Sequence, residues 1–465
     1  MTSRRLGWLG VVVFSGAGAG LLGLTSAMNA AFAYGDTTDN TLIMGGTEDP
    51  TPDSAYLSSV NTDYILPNIA PNTDTTTVLT TPEQFFPLPG FSNLTFGQSV
   101  AQGLTDLQAA IAAEPAGVDT QVFGYSQSAT IATDELDQLR AGTAPTTPSP
   151  SDLSFVLVGD PNNPDGGLLE RFDGLNVPRF DIPFNGATPD TAYPTDIYTL
   201  QYDGFADFPQ YPLNILADAN AIAGIDVVHG DYPTLTPAQV ATAIQEPVSP
   251  GETGDTNYYM IPTQTLPLVQ LLENAGLPTW AGDLINPDLR VLVDLGYGNI
   301  GGTTNPDYAD VPTQASLSEN VNWGTASWDL LLGAEQGATA ALVGEGVLPK
   351  SWMPDVYPFI PSLDPELSTN AANQAATTFV STASGQLGML ATDINDALSS
   401  LGNGSGIVSD VNDVLGLFGL SLPSSITNEL ESVVADITGT APTGTGGDLA
   451  DVLGDALVAG LSNAG

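Results

Sequence analysis

Residues 122–132 read Val-Phe-Gly-Tyr-Ser-Gln-Ser-Ala-Thr-Ile-Ala, with Ser126 at their centre. An apolar, strand-like stretch leads in and a helix-forming run leads out, so Ser126 is predicted on a tight strand-to-helix turn. Such a turn lifts a hydroxyl above a sheet edge, where it can act as a nucleophile. A serine attacks only when a base takes its proton and an acid orients that base. The base has one candidate, because His229 is the only histidine of the 465 residues. A solitary histidine is more often a core residue with a satisfied hydrogen bond. Here it follows Ile225-Asp226-Val227-Val228 and precedes Gly230, which suits a loop at a sheet edge. The order serine, aspartate, histidine is also that of an α/β-hydrolase, which favours the catalytic reading.

Three aspartates follow candidate strands. Asp207, in Gly204-Phe205-Ala206-Asp207-Phe208-Pro209, occupies the turn where the acid is expected and is preferred. Asp203, at the end of the same strand, comes second, and Asp160, one strand earlier, comes last. The aspartates that are not the acid are expected to close Asx turns or cap helices. A tetrahedral intermediate needs two backbone N–H donors. Gln127, directly after the nucleophile, supplies one; Gly46 or Thr47, in the turn Gly45-Gly46-Thr47, supplies the other, since glycine lets the backbone approach closely.

These residues need a frame. Short apolar runs alternate with helical stretches from Asp39 onward, the pattern of an α/β fold. Thr95 and Gln98 form a capping box ahead of Val100, Leu104, Leu107 and Ile111, a helix expected to end near Gly117. The helix after Ser126 stops at Gly142, and "LSFVLVGD" and "TDIYTLQYDG" are buried strands. Leu213–Ile225 is an apolar helix between acid and histidine, placed to cover the site as a lid. From about Glu246 the chain reads as a turn-rich connector followed by short helices mixed with a strand. Past about Pro361 it is rich in Ala, Ser, Thr, Gly and Asn, an accessory region, partly of low complexity, that reads either as a loose helical module or as partly disordered.

Composition narrows the functions. There are 53 Asp and Glu against 7 Lys and Arg, a formal net charge of -46, which repels phosphate backbones and excludes a nucleic-acid partner. With no cysteine there are no disulfides, thiolate metal sites or cysteine nucleophile, and one histidine excludes a His-rich metal site. No cofactor or metal is expected. Arg4 and Arg5, an apolar stretch and Ala31-Phe32-Ala33 read as a signal peptide over 1–33, with an uncleaved membrane anchor as the alternative. The arginine pair hints at twin-arginine export, although Gly7 stands where that motif prefers Phe. The mature protein is expected to be secreted or held in the cell envelope.

At these residues the sequence resembles the PE-PPE domain family of actinobacterial serine α/β-hydrolases, relatives of the cutinases. The stretches that carry the likeness include "LIMGGTEDPTPDSAY", "VFGYSQSATIA", "VGDPNNPDGGLLERFDG", "YDGFADFPQYPLNILADANAIAGIDVVHGDY" and "YYMIPTQTLPLV". They lie within about residues 36–315, about 60% of the chain. The resemblance implies a cutinase-like, mostly parallel sheet with flanking helices over 34–320, followed by the accessory region 321–465. It implies a triad on Ser126, Asp207 (or Asp203) and His229, acting on acyl esters or envelope lipids. Two other readings stand beside an esterase: a transacylase passing the acyl group to a trehalose-type sugar, and a non-catalytic envelope protein. Ser128 departs from the glycine many hydrolases place there, but a small residue still permits close helix–strand packing.

Overall fold

The computed structural model describes residues 40–65, 75–88, 90–115, 117–298, 308–317, 321 and 323–353. The predicted signal peptide and the tail beyond Pro361 lie outside the described residues. Along the chain, β1 (Asn40–Ile43) is followed by α1 (Ser54–Val60), β2 (Thr75–Val78), α2 (Phe96–Ala113), β3 (Thr120–Tyr125) and α3 (Gln127–Ala141). Next come β4 (Leu153–Val158), α4 (Leu168–Arg171), the short antiparallel pair β5 (Asn176–Val177) and β6 (Ile182–Pro183), and β7 (Thr195–Leu200). The last elements are α5 (Ile215–Val227), a 3-10 helix at His229–Thr234, α6 (Pro237–Val240), β8 (Ile244–Gln245), β9 (Thr256–Ile261), α7 (Pro267–Asn274), α8 (Thr279–Asp294) and α9 (Trp323–Gly344).

Seven strands form one sheet in the order β2-β1-β3-β4-β7-β9-β8, parallel throughout except at the β8–β9 edge. Its strands alternate between two cores, as a period of two requires. Leu42, Val122, Phe155, Leu157 and Ile197 join the cluster with α2 and α3, while Ile43, Phe123, Val156, Val158 and Tyr198 join the one on the opposite face. Both faces are covered, so β4 and β7 are buried at every position, which suits the largely apolar run of β4, while β7 buries Thr195, Asp196 and Thr199 among its apolar residues. The expected capping box is present: Thr95 Oγ1 accepts from Gln98 N, and Gln98 Oε1 accepts from Thr95 N.

Two expectations need revision. The stretch read as a turn-rich connector holds a strand, β9, which pairs along the whole of β7. β9 is only part-buried and carries Asn, Tyr and Met, so its apolar signal is weak. The helix read as a lid, α5, is a core element instead. Ala217, Ala219, Ala221, Ala223 and Ile225 are buried, and its backbone lies against the turn after β7: a Cβ on Gly224 would fall 1.8 Å from Tyr202 O. A helix locked backbone to backbone cannot swing open without dismantling that turn.

Many carboxyls are interior. Burial pushes Glu83 up to about 8, Asp207 and Asp294 to about 7, and Asp160 and Asp196 to about 6. Below the ordinary value of 3.8, an aspartate of this kind is neutral in both folded and unfolded chains. As the pH rises from about 4 to about 7, the unfolded chain releases its proton first, so stability is lost across that window. The acidic surface acts in the same direction, because deprotonation increases self-repulsion. The melting temperature is therefore expected to be higher at pH 5 than at pH 7.5, by about 5 °C or more, given that about 1 kcal/mol moves a domain this large by a few degrees. Calorimetry across pH 4.5–8 measures this, and a flat or falling Tm on acidification contradicts it.

Candidate active site

Ser126 sits between β3 and α3 with φ 55 and ψ -117, a positive φ that a side-chain-bearing residue adopts only under constraint. The constraint is visible. Ser126 N donates to Val158 O of the neighbouring strand at 3.1 Å. Ser128 Oγ accepts from Tyr125 N at 2.8 Å and donates to Tyr125 O at 3.1 Å, tying helix to strand across the turn. Gly124 is required because a Cβ there would meet Ser128 O at 2.7 Å. The Ser126 side chain makes no capping bond with α3, so its hydroxyl is left for His229.

His229 Nε2 lies 2.8 Å from Ser126 Oγ, and its Nδ1 lies 2.9 and 2.8 Å from the two carboxylate oxygens of Asp203. With Nδ1–H donating to the carboxylate, Nε2 carries the lone pair that faces the serine proton. Asp203 is fully buried and is held by Phe205 N to Oδ1 at 3.0 Å and by the Tyr232 hydroxyl to Oδ2 at 2.8 Å. Phe205 packs edge-on against the imidazole, with ring centroids 4.6 Å apart. The Tyr125 hydroxyl donates to His229 O at 2.7 Å, fixing the backbone that carries the ring.

Asp207, preferred from the sequence, is not the residue that meets His229. Its Oδ2 accepts from Tyr202 N at 2.6 Å, closing the turn from within, and the nearby Arg171 charge partly offsets the upward push of burial on its carboxyl. Asp203 meets the imidazole because the chain turns at once after β7: Asp203 N donates back to Leu200 O at 3.0 Å. That turn holds the carboxylate at the end of the strand, while four further residues carry Asp207 past it. Asp160 has the Asx-turn role expected of an unused aspartate, with Oδ1 accepting from Asn162 N and Oδ2 from the Thr188 hydroxyl.

The proposed oxyanion donors converge on the same side. Gln127 is the first residue of α3, so its N–H has no partner within the helix. Gly46 packs under the elbow: a Cβ there would stand 2.8 Å from the Tyr125 ring and 3.5 Å from Ser126 Cβ. Thr47 lines the pocket beside Ser126, and its hydroxyl accepts from Gln127 Nε2 at 3.1 Å. The rest of the pocket wall is apolar, built from Phe85, Phe96, Leu169, Ile182 and Phe205. Among the described residues, no group of three or more His, Cys, Asp or Glu side chains is arranged to hold a metal ion.

A family model for the PE-PPE domain matches residues 71–298. PE family protein PE3 of Mycobacterium tuberculosis is 48% identical over 355 residues, covering 75% of this chain and 73% of that protein. The chain belongs to the PE-PPE domain family. The stretch matched by the family model contains Ser126, Asp203 and His229 but begins after the Gly45–Gly46–Thr47 loop. Esterase PE16 of Mycobacterium tuberculosis is 47% identical over 293 residues, 63% of this chain and 54% of that protein. SL1278 acyltransferase Chp1 of the same organism is 34% identical over 289 residues, 60% of this chain and 68% of that one. The chain thus spans between about half and three quarters of the length of these relatives. A cutinase-like protein from Cryptococcus sp. is similar at 22% identity and a TM-score of 0.25, over 39% of this chain and 82% of that one.

Several residues of this PE-PPE site carry no sequence motif that marks them. Tyr232 had a usable signal, lying three residues after His229 and thus on the same face of a tight helical turn. Phe85, Phe96 and Ile182 had none, since an apolar residue far along the chain reads the same in a core and in a pocket.

Proposed function

We propose that this chain is a serine esterase of the PE-PPE domain family, working through an acyl-enzyme on Ser126. The observation that carries this reading is the hydrogen-bonded series Ser126–His229–Asp203 opening on an apolar pocket. Ser126 Oγ attacks the ester carbonyl while His229 Nε2 takes its proton, and buried Asp203 stabilises the imidazolium and fixes its tautomer. The oxyanion is met by the Gln127 N–H and the Thr47 loop. His229 then gives the proton to the departing alcohol, and an incoming hydroxyl repeats the cycle in reverse to release the acyl group. Thr47 and Gln127 share the pocket beside Ser126 with an otherwise apolar wall, which suits an acyl chain.

A second reading differs only in that last hydroxyl. The names of two relatives favour it: SL1278 acyltransferase Chp1, and Diacyltrehalose acyltransferase Chp2 at 33% identity over 224 residues. In transfer, a sugar hydroxyl replaces water at the acyl carbonyl. We keep hydrolysis first, because Esterase PE16 is 47% identical to this chain whereas the two acyltransferases are 34% and 33% identical.

The test has two stages. A fluorophosphonate probe is expected to label the protein at Ser126, as read by peptide mapping, and a folded protein that resists the probe ends both readings. An acyl ester is then supplied with and without trehalose, and free acid is measured against acylated sugar. Free acid is expected to dominate; acylated sugar in excess at modest acceptor concentration assigns the chain to transfer. Its proposed setting outside the cytoplasm rests on the leader pattern of residues 1–33, and fractionation of expressing cells checks it.

A further inference from the structure

Thr47 reaches Ser126 on a loop whose conformation is under strain, and a buried acid sits beneath it. Glu48, next to Thr47, has φ 70, and Glu83 on the facing loop has φ 46. A residue with a side chain holds such a backbone only where its surroundings impose it. Here the two strained residues hold each other: Glu48 N donates to Glu83 O at 2.7 Å. The following residue, Gln84, continues the brace. Gln84 O accepts from Gln127 Nε2 at 3.2 Å, and Gln84 N donates to Ser99 Oγ, whose hydroxyl donates to Gln127 Oε1 at 2.6 Å. Glu83 therefore stands between the bond that fixes the Thr47 loop and the amide that fixes Thr47 itself.

The mechanism proposed above makes no use of the Glu83 side chain, yet it is wholly buried. Its Oε1 accepts from the Thr81 hydroxyl at 2.7 Å, and Oε2 is buried without a partner. The charged or ionisable groups that act on it are Asp49, from the Thr47 loop, and Tyr56, from α1. Neither is a cation. A buried carboxylate lacking a positive partner costs far more than a buried neutral carboxyl. Burial first, and the Asp49 charge second, push Glu83 up to about 8, against the pull of Thr81.

We propose that Glu83 is a positioning residue for the esterase reaction: as a neutral carboxyl it pins the Thr47 loop beside Ser126, and on ionisation it leaves its site and releases that loop. The inference rests on the esterase reading only for its effect on rate. The charged side chain moves toward water, the left-handed turn at Glu83 loses its anchor, and the Glu48–Glu83 hydrogen bond goes with it. The loss falls on the transition state, where the oxyanion forms, so it appears in kcat rather than KM.

The experiment compares the wild-type protein with Glu83→Gln, an isostere that cannot ionise. Hydrolysis of a soluble acyl ester is followed from pH 7 to 9.5, each profile scaled to that protein's own rate at pH 7. Wild-type kcat is expected to fall roughly tenfold between pH 7 and 9, about fivefold of it between pH 8 and 9, as a single ionisation near 8 requires, while Glu83→Gln stays within about twofold. Amide hydrogen exchange at residues 46–49, corrected for intrinsic rates, is measured on both proteins at pH 7 and 9 without substrate. Protection is expected to collapse at pH 9 in the wild type and to persist in Glu83→Gln. An alkaline fall identical in both proteins overturns the proposal, as does unchanged wild-type protection at pH 9. If neither protein turns over esters, the esterase reading fails while the exchange data still decide the role of Glu83. If Glu83→Gln does not fold, the wild-type exchange comparison decides it alone.

Discussion

Replacing Ser126 by alanine is expected to lower kcat for ester hydrolysis by about 10³-fold or more, leaving only what binding and the oxyanion donors supply. The size follows from the geometry. His229 Nε2 is 2.8 Å from Ser126 Oγ, and removing that oxygen leaves the base with no proton to take. Stability should change little. The hydroxyl makes no capping bond, and the positive φ at residue 126 is held by the Ser126 N–Val158 O bond and the Ser128 clasp, which the substitution leaves in place. Steady-state kinetics with active-site titration measures the effect, alongside thermal melting to verify folding. A folded Ser126→Ala protein with undiminished turnover would remove the serine mechanism.

The second large effect separates two aspartates four residues apart. Asp203→Asn presents an amide to His229 Nδ1; its NH₂ group favours the tautomer with the proton on Nε2, where it faces the serine and cannot accept. A loss of about 10³- to 10⁴-fold in kcat is expected, as for other triads whose acid is amidated. Asp207→Asn keeps an oxygen to accept from Tyr202 N and leaves the His229 ring untouched, so a loss below about tenfold is expected. Because burial holds Asp207 up to about 7, the neutral amide also resembles the protonated form of that side chain. Measuring kcat for both variants at one pH decides the matter. A larger loss for Asp207→Asn than for Asp203→Asn would return the acid role to Asp207.

This reassignment shows where local pattern stops being informative. Asp203 and Asp207 lie in one turn after one strand, and a spacing rule can fit either. What separates them is the direction each carboxyl takes, set by the tight return of Asp203 N to Leu200 O and by Tyr202 at φ 68. Tyr232 then satisfies Asp203 from 29 residues further along the chain. The lid reading of Leu213–Ile225 failed for a related reason. An apolar helix has the same composition whether it covers a site or fills a core, and only the contact of Gly224 with Tyr202 O distinguishes the two.

Residue types and spacing alone picked out the sharp turn at Ser126, the one histidine available to face it and the α/β alternation. Each is a local or exclusive signal: Gly124 and a small residue at 128 are what a sharp strand-to-helix turn demands, His229 has no rival, and strands covered on both faces are rich in apolar residues. Only the tertiary structure shows which aspartate meets His229, the apolar wall and the buried support under the Thr47 loop. Those depend on contacts between residues far apart in the chain, such as His229 with Ser126 across 103 positions, and on which way a side chain points. Hydrophobic periodicity records how often a residue is buried but not against what. The partner is fixed only when strands β3, β4 and β7 align and bring their C-terminal turns to one edge of the sheet.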